Sequence, residues 1–257
     1  MNITICCPSY KRPYVETLER YPNTRVYVAE SEFKAYKEAN HKDAYIVAVP
    51  DSVQGNLCRV RNYILDTEFN SGTDGVLIID DDMQAVCRYN AVESKHGLFG
   101  YQRKELNEAE LIAFVENGFN MCEEFGFKFW GVNCVSDPKA YKAYTPFNTT
   151  KYIGGPFQAH LKNPIRYDER LPLKEDYDIT LQHMNKYRGA LRFNAYHYLC
   201  KQSEQAGGCA HYRNLPQERH QFELLQKKWG SDIVRKDTSS KREFDYNPII
   251  KVPIRGV

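Results

Sequence analysis

The segment Val76-Leu77-Ile78-Ile79-Asp80-Asp81-Asp82 limits this chain more than any other. Four consecutive aliphatic residues leave no polar position for a solvated face, so they suit a strand covered on both sides, as in a parallel sheet with helices above and below it. Three carboxylates follow without a spacer and repel one another. In open α/β sheets ligands gather at the carboxyl ends of the strands, and these acids fall there. The N-terminal half repeats the pattern, with β-rich runs at residues 3–7, Arg25–Ala29 and 45–49 preceding Gly75–Ile79 and alternating with helical stretches. Residues 54–70 carry Leu57, Val60, Ile64 and Leu65 at helical spacing and stop at Asn70-Ser71-Gly72. Right-handed crossovers between such strands give a doubly wound α/β half-domain.

Further along, Asn107 and Glu110 form a capping-box pair ahead of Leu111, Phe114, Val115 and Phe119, which predicts a helix ending near Gly126. Residues 129–135 and Phe157–Leu161 read as strands, with a turn-rich stretch at 137–150 between them. A helix is expected over 174–187, a strand over 191–199, a polar loop over 202–209 and an amphipathic helix over 216–229 with proline near its start. The 257 residues accommodate one large α/β domain over 1–213, with a basic helix and tail over 214–257 packed on it.

An apolar fraction of 42% with 26% charged residues excludes a disordered or collagenous chain. The eight cysteines contain no C-x-x-C pair, which argues against a zinc ribbon and for reduced thiols. No run approaches the roughly 18 apolar residues of a membrane helix, and residues 1–8 lack a basic leader, so a cytoplasmic protein without membrane association is expected. The net charge of +2 hides an asymmetry: residues 186–257 hold 14 Lys and Arg against 7 Asp and Glu. A basic surplus of this kind suits phosphate groups of a nucleotide or a nucleic acid, and a solvated surface is the plain alternative.

Several groups carry candidate chemistry. Asp80 and Asp82, separated by one residue, can bind one hard divalent cation, Mn²⁺ or Mg²⁺, together with the phosphates of a nucleoside diphosphate. Pro8-Ser9-Tyr10-Lys11-Arg12-Pro13 follows the first strand as a loop able to wrap a nucleotide. Gly55 and Asn56 open a helix whose N–H groups, with Arg59 and Arg61 a turn later, favour an anion. Lys174-Glu175-Asp176-Tyr177-Asp178 puts a second acidic cluster in a first helical turn, where acids also occur simply to complement the dipole. A metal-diphosphate site plus a separate carboxylate is the minimum set for group transfer from an activated nucleotide. Gly207-Gly208-Cys209-Ala210-His211-Tyr212-Arg213 reads as a closing loop, with His211 as a metal ligand, His197 as its competitor, and Arg213 as a phosphate contact.

The order of Pro8 to Pro13, Gly55 to Asn62 with Arg59, Ile79-Asp80-Asp81-Asp82 and Glu175-Asp176 resembles the nucleotide-sugar glycosyltransferases of the GT-A fold. That fold is a Rossmann-like, mostly parallel sheet flanked by helices, here with a C-terminal extension on the acceptor side. Gly154-Gly155, the acidic run 174–178 and Gly207-Gly208 are similar to the subgroup associated with TET/JBP dioxygenases in bacteriophages and base-J-making protists, which modify hydroxymethylated pyrimidines in DNA. The resemblance implies a D-x-D metal motif at Asp80 and Asp82, an acid pair at Glu175 and Asp176 with Asp176 as base, and Asp178 as a further candidate. It also implies donor contacts from Pro8, Ser9, Tyr10, Arg12, Gly55, Asn56, Arg59, Gly154, Gly155, Gly207, Gly208 and Arg213. Glu30 stands where the family has an acidic residue that reads the uracil ring of a UDP-sugar.

The expected activity is transfer of a sugar from a nucleotide-sugar donor to a hydroxyl on a modified base in DNA. A GT-A enzyme acting on a glycan, protein or lipid is the alternative. A nucleotidyltransferase would have a glycine-rich first loop, and residues 8–13 contain no glycine. A DNA-binding module without catalysis leaves both acidic clusters unexplained, because carboxylates repel phosphate.

Overall fold

The computed structural model describes residues 1–93, 99–201, 213–237 and 246–254. The order begins β1 (Ile3–Pro8), α1 (Thr17–Arg20), β2 (Arg25–Ala29), α2 (Phe33–Ala39), β3 (Ile46–Val49), α3 (Leu57–Asn70) and β4 (Gly75–Ile79). There follow β5 (Met83–Glu93), β6 (Phe99–Glu105), α4 (Glu108–Glu124), β7 (Phe129–Asn133), β8 (Phe147–Asn148), β9 (Phe157–Leu161) and α5 (Glu175–Tyr187). The chain closes with β10 (Leu191–Cys200), α6 (Leu215–Trp229), β11 (Val234–Lys236) and β12 (Pro248–Ile250). Among these, no helix is long and apolar enough to cross a membrane.

The main sheet runs β3-β2-β1-β4-β9-β7-β10-β5-β6, with β8 beside β10. The first four strands are mutually parallel, as the βαβα reading requires. β9 then enters antiparallel between β4 and β7, and β10 runs parallel to β7. The sheet is therefore mixed, parallel across its N-terminal half, with helices on both faces.

The unbroken aliphatic run has a direct explanation in the packing. Alternate side chains of a strand point to opposite faces, and in β4 Leu77 and Ile79 join one core while Val76 and Ile78 join the other. The first core holds Leu18 of α1, Tyr36 of α2, and Leu111, Phe114 and Phe119 of α4. The second holds Cys58, Val60, Ile64 and Leu65 of α3 with Ile179 and Met184 of α5. A small third core joins Leu171 and Leu181 to Phe222 and Leu225 of α6 and Val234 of β11, so the C-terminal helix packs against α5.

The capping box forms as expected, with the Asn107 side chain accepting from the Glu110 N–H and the Glu110 carboxylate accepting from the Asn107 N–H. Two stretches depart from the sequence reading. Met83–Glu93 and Phe99–Glu105 pair as the antiparallel strands β5 and β6, which periodicity had not singled out. The stretch after Gly230 contains the two-stranded β11–β12 ribbon rather than a featureless tail.

Candidate active site

The C-terminal ends of β1 and β4 and the N-termini of α3 and α5 meet around a cleft of ≈ 300 Å³. It is lined by Pro8, Ser9, Tyr10 and Arg12, by Gly55, Asn56 and Arg61, by Asp80, Asp81 and Asp82, and by Gly155, Glu175, Asp176 and Arg213. Motifs separated by as much as two hundred residues in sequence thus share one cavity.

The three aspartates do three different things. Asp81 is buried and anchors the loop after β1, accepting from Ser9 Oγ at 2.5 Å and from Arg12 Nη1 at 2.6 Å. Ser9 Oγ also lies 2.8 Å from Tyr36 Oη, which accepts from the Arg12 N–H. Asp80 faces Arg61, with Nη2 to Oδ1 at 3.2 Å. Asp82 has the more distant Arg12 guanidinium, at 3.7 Å, and the Cys200 thiol. Burial, reinforced by the charges of Asp80 and Asp81, pushes the Asp82 carboxyl up to about 7. Burial also holds the Asp80 and Asp81 carboxyls above their usual range, against the pull of Arg61 and Arg12. The turn itself is fixed by Thr17, whose Oγ1 donates to the Asp80 carbonyl at 2.6 Å and accepts from the Met83 N–H at 3.0 Å.

Arg61 is the residue the sequence reading undervalued. Only 1% of its side chain is exposed, yet it donates to Asp80, to Glu175 Oε1 at 3.3 Å, to Gln158 Oε1 at 2.9 Å and to the Gly155 carbonyl at 3.0 Å. It joins the two acidic clusters through one planar cation, a task that suits a guanidinium better than an ammonium. Its position gave a signal: Arg61 follows Cys58 by three residues and precedes Ile64 by three, which places it on the buried stripe of α3. Arg59 has turned away from the cleft to Glu169 and the Ser52 carbonyl, so its expected donor contact is not supported by its placement.

Gly55 adopts φ +81°, a left-handed conformation that strains other residues, and leads into Asn56, whose side chain caps α3 by accepting from the Arg59 N–H. The N-terminal end of α3 therefore borders the cleft. Gly154 lies just behind it, where a Cβ would sit 2.5 Å from Tyr198 Oη and 2.8 Å from Cys134 Sγ. It is required by close packing rather than by a donor contact.

In the second cluster Glu175 and Asp176 face the cleft and Asp178 does not. Glu175 is buried, and desolvation together with Asp176 raises its carboxyl against the pull of Arg61. Asp176 Oδ2 accepts from Tyr152 Oη and from the Gly155 N–H at 3.3 Å. Asp178 is fully buried on the other side of α5, where Trp229 Nε1 at 2.8 Å and Lys228 Nζ at 2.9 Å donate to it. A catalytic role for Asp178 is therefore corrected to a structural one: no substrate in the cleft can reach it. The same pair takes Lys228 out of the free basic surface, since its ammonium also bonds Asp168.

Glu30 stands exposed just past β2 and is not among the residues lining the cleft. His197 is buried under Tyr89, with ring centroids 4.7 Å apart, and does not line the cleft either. Gly207, Gly208 and His211 lie outside the described residues. Arg213 resumes the chain at the cleft, paired with Glu218 at 3.1 Å, and Glu218 also accepts from the buried Lys174 ahead of α5.

Sequence comparison now adds what geometry alone does not. The family model of TET-associated glycosyltransferases matches residues 19–208, well over half of the chain. The chain belongs to the TET-associated glycosyltransferases. It is thus a glycosyltransferase, with the GT-A fold. No curated protein sequence matches it. Among solved structures, Staphylococcus aureus TarS 1–349 in complex with UDP-GlcNAc superimposes with a TM-score of 0.50 at 11% identity, over 88% of this chain and 67% of that one. A second structure of the same TarS fragment gives 0.47 at 12% identity, and this glycosyltransferase spans 66% of its length. Glucosyl-3-phosphoglycerate synthase from Mycobacterium tuberculosis, in complex with Mn²⁺, UDP and glucosyl-3-phosphoglycerate, gives 0.49 at 10% identity, over 88% and 79%.

Proposed function

We propose that this enzyme transfers a sugar from a UDP-sugar, with a divalent cation, to the hydroxyl of a hydroxymethylated pyrimidine in DNA. The observation that carries the reading is the convergence of Asp80, Asp82 and Asp176 on one cleft, with the Arg61 guanidinium joining Asp80 to Glu175. A UDP donor accords with the UDP-GlcNAc held by the Staphylococcus protein of the same fold. Membership of a family named for its association with TET enzymes supports a modified base in DNA as the acceptor.

The donor set suits Mn²⁺ or Mg²⁺. Asp80 and Asp82 offer oxygen ligands, and a cation would favour the ionised form of the Asp82 carboxyl, which burial and the neighbouring Asp80 and Asp81 charges raise. A cation of this class binds through one or two carboxylates and keeps water and substrate phosphate in the rest of its shell. When bound, it would neutralise charge growing on the departing diphosphate.

The chain's own groups divide the remaining work. The N-terminus of α3 offers N–H groups to phosphate oxygens, and Arg12 and Arg213 supply charge at the rim. Asp176 takes the proton of the acceptor hydroxyl as that oxygen attacks the anomeric carbon, and the carbon–oxygen bond to the diphosphate breaks. Glu175, held largely protonated by burial, adds little negative charge beside the donor.

The test is incubation with a panel of nucleotide sugars, Mn²⁺, and duplex DNA bearing hydroxymethylcytosine or hydroxymethyluracil, read by nucleoside mass spectrometry. A mass gain of one sugar on the modified nucleoside is expected. Donor turnover without any mass gain on DNA would shift the acceptor to another class.

A further inference from the structure

Asp176 sits in the first turn of α5, where a carboxylate ordinarily swings back to satisfy the free N–H groups of its own helix. Its Oδ1 does accept from the Tyr177 N–H at 2.8 Å. Left to that single bond, the carboxylate would keep its rotational freedom, and a base must hold one lone pair toward the acceptor within a few tenths of an ångström. Oδ2 is instead pinned from outside the helix, by the Gly155 N–H at 3.3 Å and by the hydroxyl of Tyr152.

Tyr152 is itself held on every side. Its ring stacks on Tyr177, the residue after Asp176, with centroids 4.2 Å apart and planes within 15°. Its carbonyl accepts from Arg192 Nη1 at 3.2 Å. The next residue, Ile153, donates its N–H to Thr180 Oγ1 at 3.4 Å, and that hydroxyl donates to the Asp176 carbonyl at 2.7 Å. The strip 152–155 is thus tied along the first turn of α5. Burial and the neighbouring Asp176 charge keep the Tyr152 phenol protonated well beyond its ordinary range, so toward the carboxylate it acts as a donor only.

From this arrangement we infer that Tyr152 is the positioning residue for the reaction: its hydroxyl fixes the Asp176 carboxylate so that one lone pair is aimed at the acceptor. Nothing in Tyr152 needs to touch the donor, since it lies outside the cleft lining. The inference rests on Asp176 being the base, and the experiment separates the two claims. UDP release from the active UDP-sugar is measured with the accepted DNA, or with water as acceptor, in Tyr152→Phe, Asp176→Asn and the double variant, alongside donor Kd by calorimetry and Tm.

Tyr152→Phe keeps the stacked ring and removes one oxygen. It is expected to lower kcat by on the order of ten- to a hundredfold while donor Kd stays at the wild-type value, and to add nothing in the Asp176→Asn background. Incorporating p-aminophenylalanine at position 152, which restores an N–H donor on the same ring, is expected to recover most of the loss. Wild-type kcat in Tyr152→Phe beside a crippled Asp176→Asn overturns the positioning role. So does a loss that persists with the amino analogue, or one that is additive in the double variant, because packing alone explains both. If Asp176→Asn itself turns over normally, the base assignment fails instead.

Discussion

The two acidic clusters look alike in sequence and behave by different rules. In Asp80-Asp81-Asp82 the backbone leaves a strand in a turn, and all three acids border the cleft, with the Asp81 carboxylate bonded to Ser9 and Arg12. In Glu175-Asp176-Tyr177-Asp178 the backbone is helical, so Asp176 and Asp178 lie on opposite sides, Asp176 bordering the cleft with the buried Glu175 and Asp178 turned to Trp229. Each cluster thus contributes acids to the cavity and ties one acid to the scaffold.

The largest effect is expected from the first cluster. Asp82→Ala should abolish transfer and cation-dependent donor binding while Tm holds or rises, because a repelled carboxylate has been removed. Near-normal turnover would end its assignment to a metal site and, with it, the functional asymmetry between Asp82 and Asp81. Next comes Asp176→Asn, which keeps the size and loses the proton acceptor. Turnover should fall by about 10² to 10⁴ with donor affinity nearly unchanged, measured by UDP release and calorimetry.

The cation between the clusters is the third target. Arg61→Ala leaves Asp80 and Glu175 without their shared partner in a buried setting, a loss of about 3–5 kcal/mol for a broken buried pair. Denaturant unfolding checks this, and a loss below about 1 kcal/mol would mean water compensates. A smaller cost is expected at Asp178→Asn: about 1.5–3 kcal/mol from weakened charge-assisted bonds to Trp229 and Lys228, with kcat within a few-fold of wild type. A collapse of kcat at unchanged Tm would return Asp178 to the chemistry.

The mildest effect concerns pH. The Glu175 carboxyl is raised in the folded protein above its ordinary 4.5, so the fold binds a proton that the unfolded chain releases. The stability that this group contributes is complete below pH 4.5 and is lost as pH rises through the folded value. Tm is therefore expected to decline above pH 4.5 in the wild type and to decline less in Glu175→Gln, measured by thermal unfolding across buffers of constant ionic strength.

How much of this was legible in the sequence depends on the range of the interaction. β1 to β4 with α3 announce themselves because both faces of the sheet are covered, and unbroken aliphatic runs such as residues 76–79 have no other use. The pair β5–β6 was passed over because Arg88, Arg103 and Lys104 interrupt its apolar positions on an exposed face, leaving no dense run. Asp80, Asp82, Glu175 and Asp176 were readable as acids at element ends, where ligands collect. What separates Asp178 from Asp176 was not, since Trp229 stands 51 residues away. Tyr152 gave no local sign at all: a hydroxyl that serves a carboxylate 24 residues on looks like any tyrosine. Arg61 was visible as a cation, and its burial was written in the spacing of Cys58 and Ile64 around it.

The tie between Asp178 and the last helix sets the order in which the enzyme is assembled during synthesis. When β10 has left the ribosome, every strand of the main sheet is present, but Leu171 and Leu181 still expose apolar surface and Asp178 still faces water, because Phe222, Leu225, Lys228 and Trp229 have not been made. Residues 152–155 already hold the first turn of α5, so what those later residues complete is the third core and the burial of Asp178 behind it. A nascent chain therefore holds the main sheet and the seat of Asp176 before it holds the packing that closes the far side of α5.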